Sequence, residues 1–156
     1  MKESSIKNLT KGNTEIVAEF IQNAVGGDLF EVETVKSYAD DYYVCIEEAK
    51  QELSENARPE LKKYLDSIEE YHNIFIAGPC WWGKFPRAIL AQIERLDFTG
   101  KKVMAVMPHE GSGLGSSESD LKKICNGATF GKGLAVHGVD AAKSESTVAA
   151  WAKKVI

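Results

Sequence analysis

Ile74-Phe75-Ile76-Ala77-Gly78-Pro79-Cys80-Trp81-Trp82-Gly83 sets an apolar run against a Gly-Pro stop and two adjacent tryptophans. A short apolar run closed by Gly-Pro reads as a buried strand that ends abruptly. Two indoles just past a strand are costly to leave in water unless something flat covers them. In an open α/β sheet, ligands bind in the crevice beyond the carboxyl ends of the strands. The junction therefore predicts an aromatic wall beside a binding crevice. The competing reading, in which one or both indoles only cap the core, uses the same residues.

Outward from this junction, strands and helices alternate. Ile16, Val17, Phe20, Ile21 and Ala24 recur at helical spacing after Gly12-Asn13-Thr14, and Gly26-Gly27 ends that helix. Leu29-Phe30-Glu31-Val32-Glu33 alternates as a strand with one face less buried does. Tyr42 through Leu65 is charged and mostly helical, with a break around Asn56-Ala57-Arg58-Pro59. Beyond the strand Ile74–Ala77, the pattern predicts a helix from Pro86 to Leu96 and a strand Val103–Met107. A glycine loop Gly111–Gly115, a short helix Ser119–Cys125 and a last strand Leu134–Val136 follow. A final helix from Ser144 sets Val148, Trp151, Ala152 and Val155 on its inner face. Alternation of this kind implies parallel strands with helices on both faces, in one α/β domain over residues 1–156.

At 156 residues the chain is long enough for one domain with a sizeable core. No apolar segment is long enough to span a membrane, and Met1-Lys2-Glu3-Ser4-Ser5 lacks the apolar core of a signal peptide. Cys45, Cys80 and Cys125 are widely spaced, which argues for a reducing cytoplasm and against a disulfide framework or a zinc site. The formal charge of −4 disfavours nucleic acid and is compatible with docking onto basic protein partners. Neither a Ser-His-Asp set, nor a paired-carboxylate site, nor metal-ligand spacing stands out, so no catalytic residue is assigned.

Three loops are expected to converge at one end of the sheet. Thr10-Lys11-Gly12-Asn13-Thr14 opens a helix, where unpaired backbone N–H groups and the positive dipole end suit a phosphate. The same residues also make an ordinary helix cap. Pro79–Gly83 offers aromatic faces. In Pro108-His109-Glu110-Gly111-Ser112-Gly113-Leu114-Gly115, glycines at alternate positions free the backbone to wrap a ligand and point N–H groups at it. A flat heteroaromatic group with a single phosphate arm fits the three loops together.

Gly12-Asn13-Thr14, Pro79-x-Trp81-Trp82-Gly83 and Gly111-Ser112-Gly113-Leu114-Gly115 stand in the order seen in flavodoxins, and the chain resembles the group whose flavin loop carries Trp-Trp-Gly. Glu55-Asn56-Ala57-Arg58-Pro59 and Leu96-Asp97-Phe98-Thr99-Gly100-Lys101 look like that group as well, so the similarity covers about residues 9–156. The resemblance implies a flavodoxin-like, three-layer, doubly wound parallel sheet of order 2-1-3-4-5, with non-covalent FMN. By the same resemblance Thr10, Gly12, Asn13 and Thr14 would hold the phosphate. Lys11 stands where a hydroxyl or small residue is usual. Pro79, Trp81, Trp82 and Gly83 would flank the isoalloxazine, with Cys80 beside it. Gly111, Ser112, Gly113 and Leu114 would meet its far side and pyrimidine edge. It further implies an electron carrier working with redox partner proteins. The rival on the same fold is an FMN-dependent NAD(P)H:quinone-type reductase, and a third reading is a degenerate relative with weak or no FMN binding.

The segment before Thr10 departs from that pattern. Among Met1–Leu9 only Met1, Ile6 and Leu9 are apolar, and burying Lys2, Glu3 and Lys7 unpaired in a sheet centre would cost several kcal/mol each. The expectation is a missing or replaced first strand, with reduced FMN affinity as its consequence. Cys80 reads as a small loop filler or a redox thiol, and His109 with Glu110 as a solvated pair or a proton-transfer pair. His72 and His137 read as strand-edge residues.

Overall fold

The computed structural model describes residues 12–36, 41–80, 82–109, 111 and 113–156. Met1–Leu9, the expected place of the first strand, lies outside the described residues. Four parallel strands carry the fold: β1 (Asn73–Ala77), β2 (Lys102–His109), β3 (Thr129–Phe130) and β4 (Leu134–His137). β1 pairs with β2 from Asn73↔Lys102 to Ala77↔Val106. β3 and β4 share the other edge of β2, at Lys102–Val103 and Val106–His109 respectively.

β2 explains its own sequence. Val103, Ala105 and Met107 project into one apolar layer with Ile89, Leu90 and Ile93 of α3 (Arg87–Ile93) and Leu121 of α4 (Ser117–Ile124). Met104 and Val106 project into a second layer with Val17 and Ile21 of α1 (Asn13–Val25) and Trp151 of α5 (Glu145–Val155). A strand covered on both faces must be apolar at consecutive positions rather than alternate ones, and Val103–Met107 is. The result is three layers, helix–sheet–helix. Val148, Trp151, Ala152 and Val155 are all buried, as the helical spacing predicts. Trp151 packs edge-on to Phe75 at 5.4 Å and donates its indole N–H to Lys132 O at 2.7 Å.

Two expectations are corrected. Leu29–Glu33 is not a strand: the segment is irregular, and the nearest β pairing among the described residues is an isolated antiparallel bridge from Thr34, just beyond it, to Leu61. Alternation licenses a strand only where an open ladder is available to receive it, and none of the described strands pairs with this segment. The helix from Tyr42 stops at Ser54, and residues 55–72 run irregularly down the flank of α3. Within that run Gln92 exchanges two hydrogen bonds with the backbone of Leu65, both 2.8 Å. The two-residue β3 and the 3-10 turn Gly138–Lys143 had no periodicity to announce them.

Among the described residues no helix is long and apolar enough to cross a membrane, and no cluster of His, Cys, Asp or Glu could hold a metal. The three cysteines are free thiols. Burial pushes Cys125 up from its ordinary value of 9.0 to about 12. Burial, with Glu48 and Glu52 nearby, also raises Cys45. A raised thiol pKa favours the folded state fully below pH 9, and that contribution fades as pH climbs toward 12. Cys125 should therefore resist iodoacetamide at pH 8 in the native protein and react after unfolding in urea, as read by intact mass.

Candidate functional site

Three segments supply the candidate site: the start of α1 and the loops that follow β1 and β2. α1 follows Gly12, whose extended backbone (φ −72°, ψ 161°) forms the N-cap and which has no side chain to cap the helix. A glycine cap leaves the first-turn N–H groups without a side-chain acceptor, the arrangement an anion can use. Thr14 and Glu15 are buried in that first turn. Asn13 is exposed at the surface and Thr14 is not. Thr10 and Lys11 lie outside the described residues.

After β1 the chain passes through Pro79 and Cys80 to Trp82. Cys80 packs against the apolar core, as a small loop filler does. Trp81 lies outside the described residues. Trp82 sits in the left-handed region (φ 57°), as does Gly83 (φ 77°). That conformation is uncommon for a bulky residue and is found where a surrounding structure holds it in place. Here the Trp82 indole N–H donates to Ile46 O of α2 (Tyr42–Ser54) at 3.2 Å, and Lys50 Nζ lies 5.4 Å from the ring centroid. Even so Trp82 is 50% exposed, so a large aromatic surface is left open to solvent.

The glycine loop after β2 is tied to this turn. Ser116 N–H donates to Gly83 O at 2.9 Å, and a Cβ built on Gly115 would lie 2.1 Å from the same oxygen. Only glycine permits that approach. Lys84 Nζ bonds Ser116 Oγ at 2.8 Å and Asp120 Oδ2 at 2.9 Å, clamping the loop to α4. Leu114 is half-buried against the core while its carbonyl accepts from Ser117 Oγ at 2.6 Å. Ser112 and Glu110 lie outside the described residues.

His109 has a role that neither reading of the sequence assigned. Its Nδ1 accepts the N–H groups of Gly111 at 2.9 Å and Gly113 at 3.1 Å, which places the proton of the neutral ring on Nε2. Its ring meets that of His137 edge-on at 5.2 Å. The two amides expected to face a ligand edge are thus organised by an imidazole, and an incoming acceptor would compete for them. The sequence signal was faint: a histidine two and four residues ahead of glycines. Lys84 likewise gave none, because its partners lie more than thirty residues away.

The arrangement offers a half-exposed indole after β1, backbone donors after β2 and a glycine-capped helix start at α1. Around Gly83, Gly111 and Gly113 an added Cβ would meet nothing within 4 Å, so there is free space on that side. A cavity of about 610 Å³ lies elsewhere, along the outer edge of β1, and reaches this end at Thr14 and Pro79.

The sequence profile of the flavodoxin family matches residues 7–155. Curated proteins supply no match. A candidate flavoprotein from Bacteroides uniformis is 32% identical, with 90% of each chain covered and a TM-score of 0.77. Another from Bacteroides eggerthii is 28% identical, covering 93% of this chain and 91% of that one, with a TM-score of 0.76. A flavoprotein from Lactobacillus acidophilus, solved with FMN, is 21% identical and shares the fold over 83% of this chain and 89% of its own, at a TM-score of 0.64. With the family profile spanning nearly all of the sequence, and helices on both faces of a parallel sheet, the chain belongs to the flavodoxin family and has its fold.

Proposed function

We propose that this protein binds FMN non-covalently where the three loops meet and serves as a small cytoplasmic electron carrier for redox partner proteins. The observation that carries the reading is Trp82: a tryptophan in a left-handed turn, anchored through its N–H to α2 yet half exposed. A flat ring laid against it would remove that surface from water. FMN, when bound, supplies one- and two-electron chemistry. The chain's own contribution is orientation and exclusion of water. The N–H groups after Gly12 would hold the phosphate, with Thr10, Asn13 and Thr14 beside them. Trp81 and Trp82 would wall the ring, and the Gly111–Leu114 backbone would face its polar edge. The flavoproteins of similar fold, one of them solved with FMN, support the choice of ligand.

Titration with FMN, followed by absorbance and fluorescence quenching, tests this. Trp82→Ala is expected to weaken binding about 10- to 100-fold, from loss of roughly 1–3 kcal/mol of stacking. Gly113→Val, at φ 65°, should also lose binding, since a β-branched residue resists that conformation. Unchanged affinity in both variants would reject the site. Steady-state NAD(P)H oxidation with FMN and a quinone separates carrier from reductase: the carrier reading expects no sustained turnover.

A further inference from the structure

His109 is the last residue of β2, and by alternation with Val103, Ala105 and Met107 it turns toward the α3 and α4 layer. There its Nδ1 accepts the N–H groups of Gly111 at 2.9 Å and Gly113 at 3.1 Å. Backbone N–H groups converging within one glycine turn form a concave nest suited to an anion or a carbonyl oxygen. Here the lone pair of the ring fills that nest. It can do so only while the ring is neutral, because a protonated imidazole is a donor at both nitrogens and would set an N–H against two others. Imidazole is also the side chain that changes charge between pH 5 and 8. His137, the register partner on β4, lies edge-on at 5.2 Å, and two rings this close disfavour a double charge. On α4, Glu118 accepts from Gly133 N–H at 3.2 Å, beside Ala105 and so roughly 13 Å down the strand from His109. Asp120 of α4 is held by Lys84 at 2.9 Å, and Arg87 of α3 is buried, with Asp120 and Arg58 close enough to act on its charge. Glu110, next in the chain, lies outside the described residues.

We propose that His109 is a positioning residue whose proton decides what holds the loop amides. Neutral, its ring keeps the N–H groups of Gly111 and Gly113 for itself. A proton taken from solvent onto Nδ1 releases both to an acceptor on a ligand, a planar ring with carbonyl or nitrogen acceptors along its edge. That ligand half rests on the reading that a flavin edge meets this loop. Proton and ligand then favour the same released arrangement, so each strengthens the other.

Its first test needs no ligand. In the full 156-residue protein, NMR titration from about pH 8 to about pH 5 follows the His109 ring and the loop amides together. The Gly111 and Gly113 amide resonances are expected to move with the midpoint at which the ring takes its proton. His109→Asn keeps an acceptor, since an Asn side chain also reaches the N–H two residues on, but has no proton to gain. Its loop amides should stay fixed over the whole range. His137→Gln should shift the midpoint and leave the response in place. A second arm uses riboflavin, which carries the flavin ring without the phosphate that itself titrates near pH 6. Riboflavin should bind about 10-fold more tightly at pH 5.5 than at pH 7.5 in the wild type, and equally at both in His109→Asn. The proposal is overturned if the ring stays neutral down to pH 5, or if the amides ignore its titration or move equally in His109→Asn. Loss of the response in His137→Gln overturns it by giving control to His137, and so does riboflavin binding that is level or weaker at low pH. Riboflavin that binds at no pH, with the amides still following the ring, supports their release by His109 and rejects the flavin reading instead. Should His109→Asn fail to fold, the wild-type titration decides.

Discussion

Gly115→Ala is expected to cost about 2–4 kcal/mol of stability and to remove FMN binding, while Gly113→Ala costs only about 1 kcal/mol. The two glycines share a left-handed backbone, φ 56° and 65°, so the conformational penalty on adding a methyl group is similar. What differs is what the methyl meets. At Gly113 there is nothing within 4 Å, whereas at Gly115 the new carbon falls 2.1 Å from Gly83 O and 2.7 Å from Gly83 C. Those are backbone atoms and cannot swing aside as a side-chain tip does. Relief requires the Trp82-Gly83 turn and the glycine loop to separate, breaking the Ser116 N–H bond to Gly83 O and loosening the clamp from Lys84. Urea unfolding gives the stability difference, and FMN titration shows whether the two loops must be locked together to form the site. Equal losses in both variants would show that the close approach carries no energy of its own.

That comparison marks how far the site could be read in advance. Glycines at alternate positions announced a loop free to wrap a ligand, and they do adopt positive φ. They could not announce that Gly115 serves a contact with another loop, because the clash partner is thirty-two residues away in the chain. His109 was equally hidden. An imidazole accepting two amides from its own loop leaves no periodicity, and a solvated histidine has the same sequence appearance. Trp82 was legible because a large apolar residue after Gly-Pro has few places to go.

The fold follows the same division. β1, β2, α3, α4 and α5 were legible because each buries a stripe or a face on a core built from neighbours in the strand–helix alternation. Leu29–Glu33 has the right alternation and yet forms no strand, because pairing is a property of two segments. Tyr42–Leu65 reads as charged and mostly helical with a break around Asn56–Pro59, and beyond that break helical preference is weak against a tertiary tether. That tether is Gln92, a residue that in a helix normally faces water.

Gln92 carries the second large effect. Its side chain is 3% exposed, with Oε1 accepting from Leu65 N–H and Nε2 donating to Leu65 O, so one amide stands in for a strand partner. Gln92→Ala strips both groups of Leu65 and leaves a void, a loss of roughly 3–5 kcal/mol by urea unfolding. Gln92→Glu keeps the shape and the acceptor but sets a carboxylate oxygen against Leu65 O, so at pH 7 it should cost about 2–4 kcal/mol. The pH dependence separates chemistry from packing. Burial and the facing carbonyl both favour the protonated acid, so the folded-state pKa of Glu at 92 would be raised. A raised carboxyl pKa means the variant regains stability, relative to wild type at the same pH, as pH falls through that value. The protonated acid can again donate to Leu65 O, so the gap should narrow as pH falls through the raised value and be smallest near the unfolded carboxyl value of about 4.3. Gln92→Ala has no such proton to gain, and its deficit should stay flat over the same range. A flat deficit in Gln92→Glu as well would show that Leu65 O is satisfied by something other than Gln92, and that residues 55–72 are held by their other contacts, among them Arg58 with Glu94 and Lys62 with Glu33.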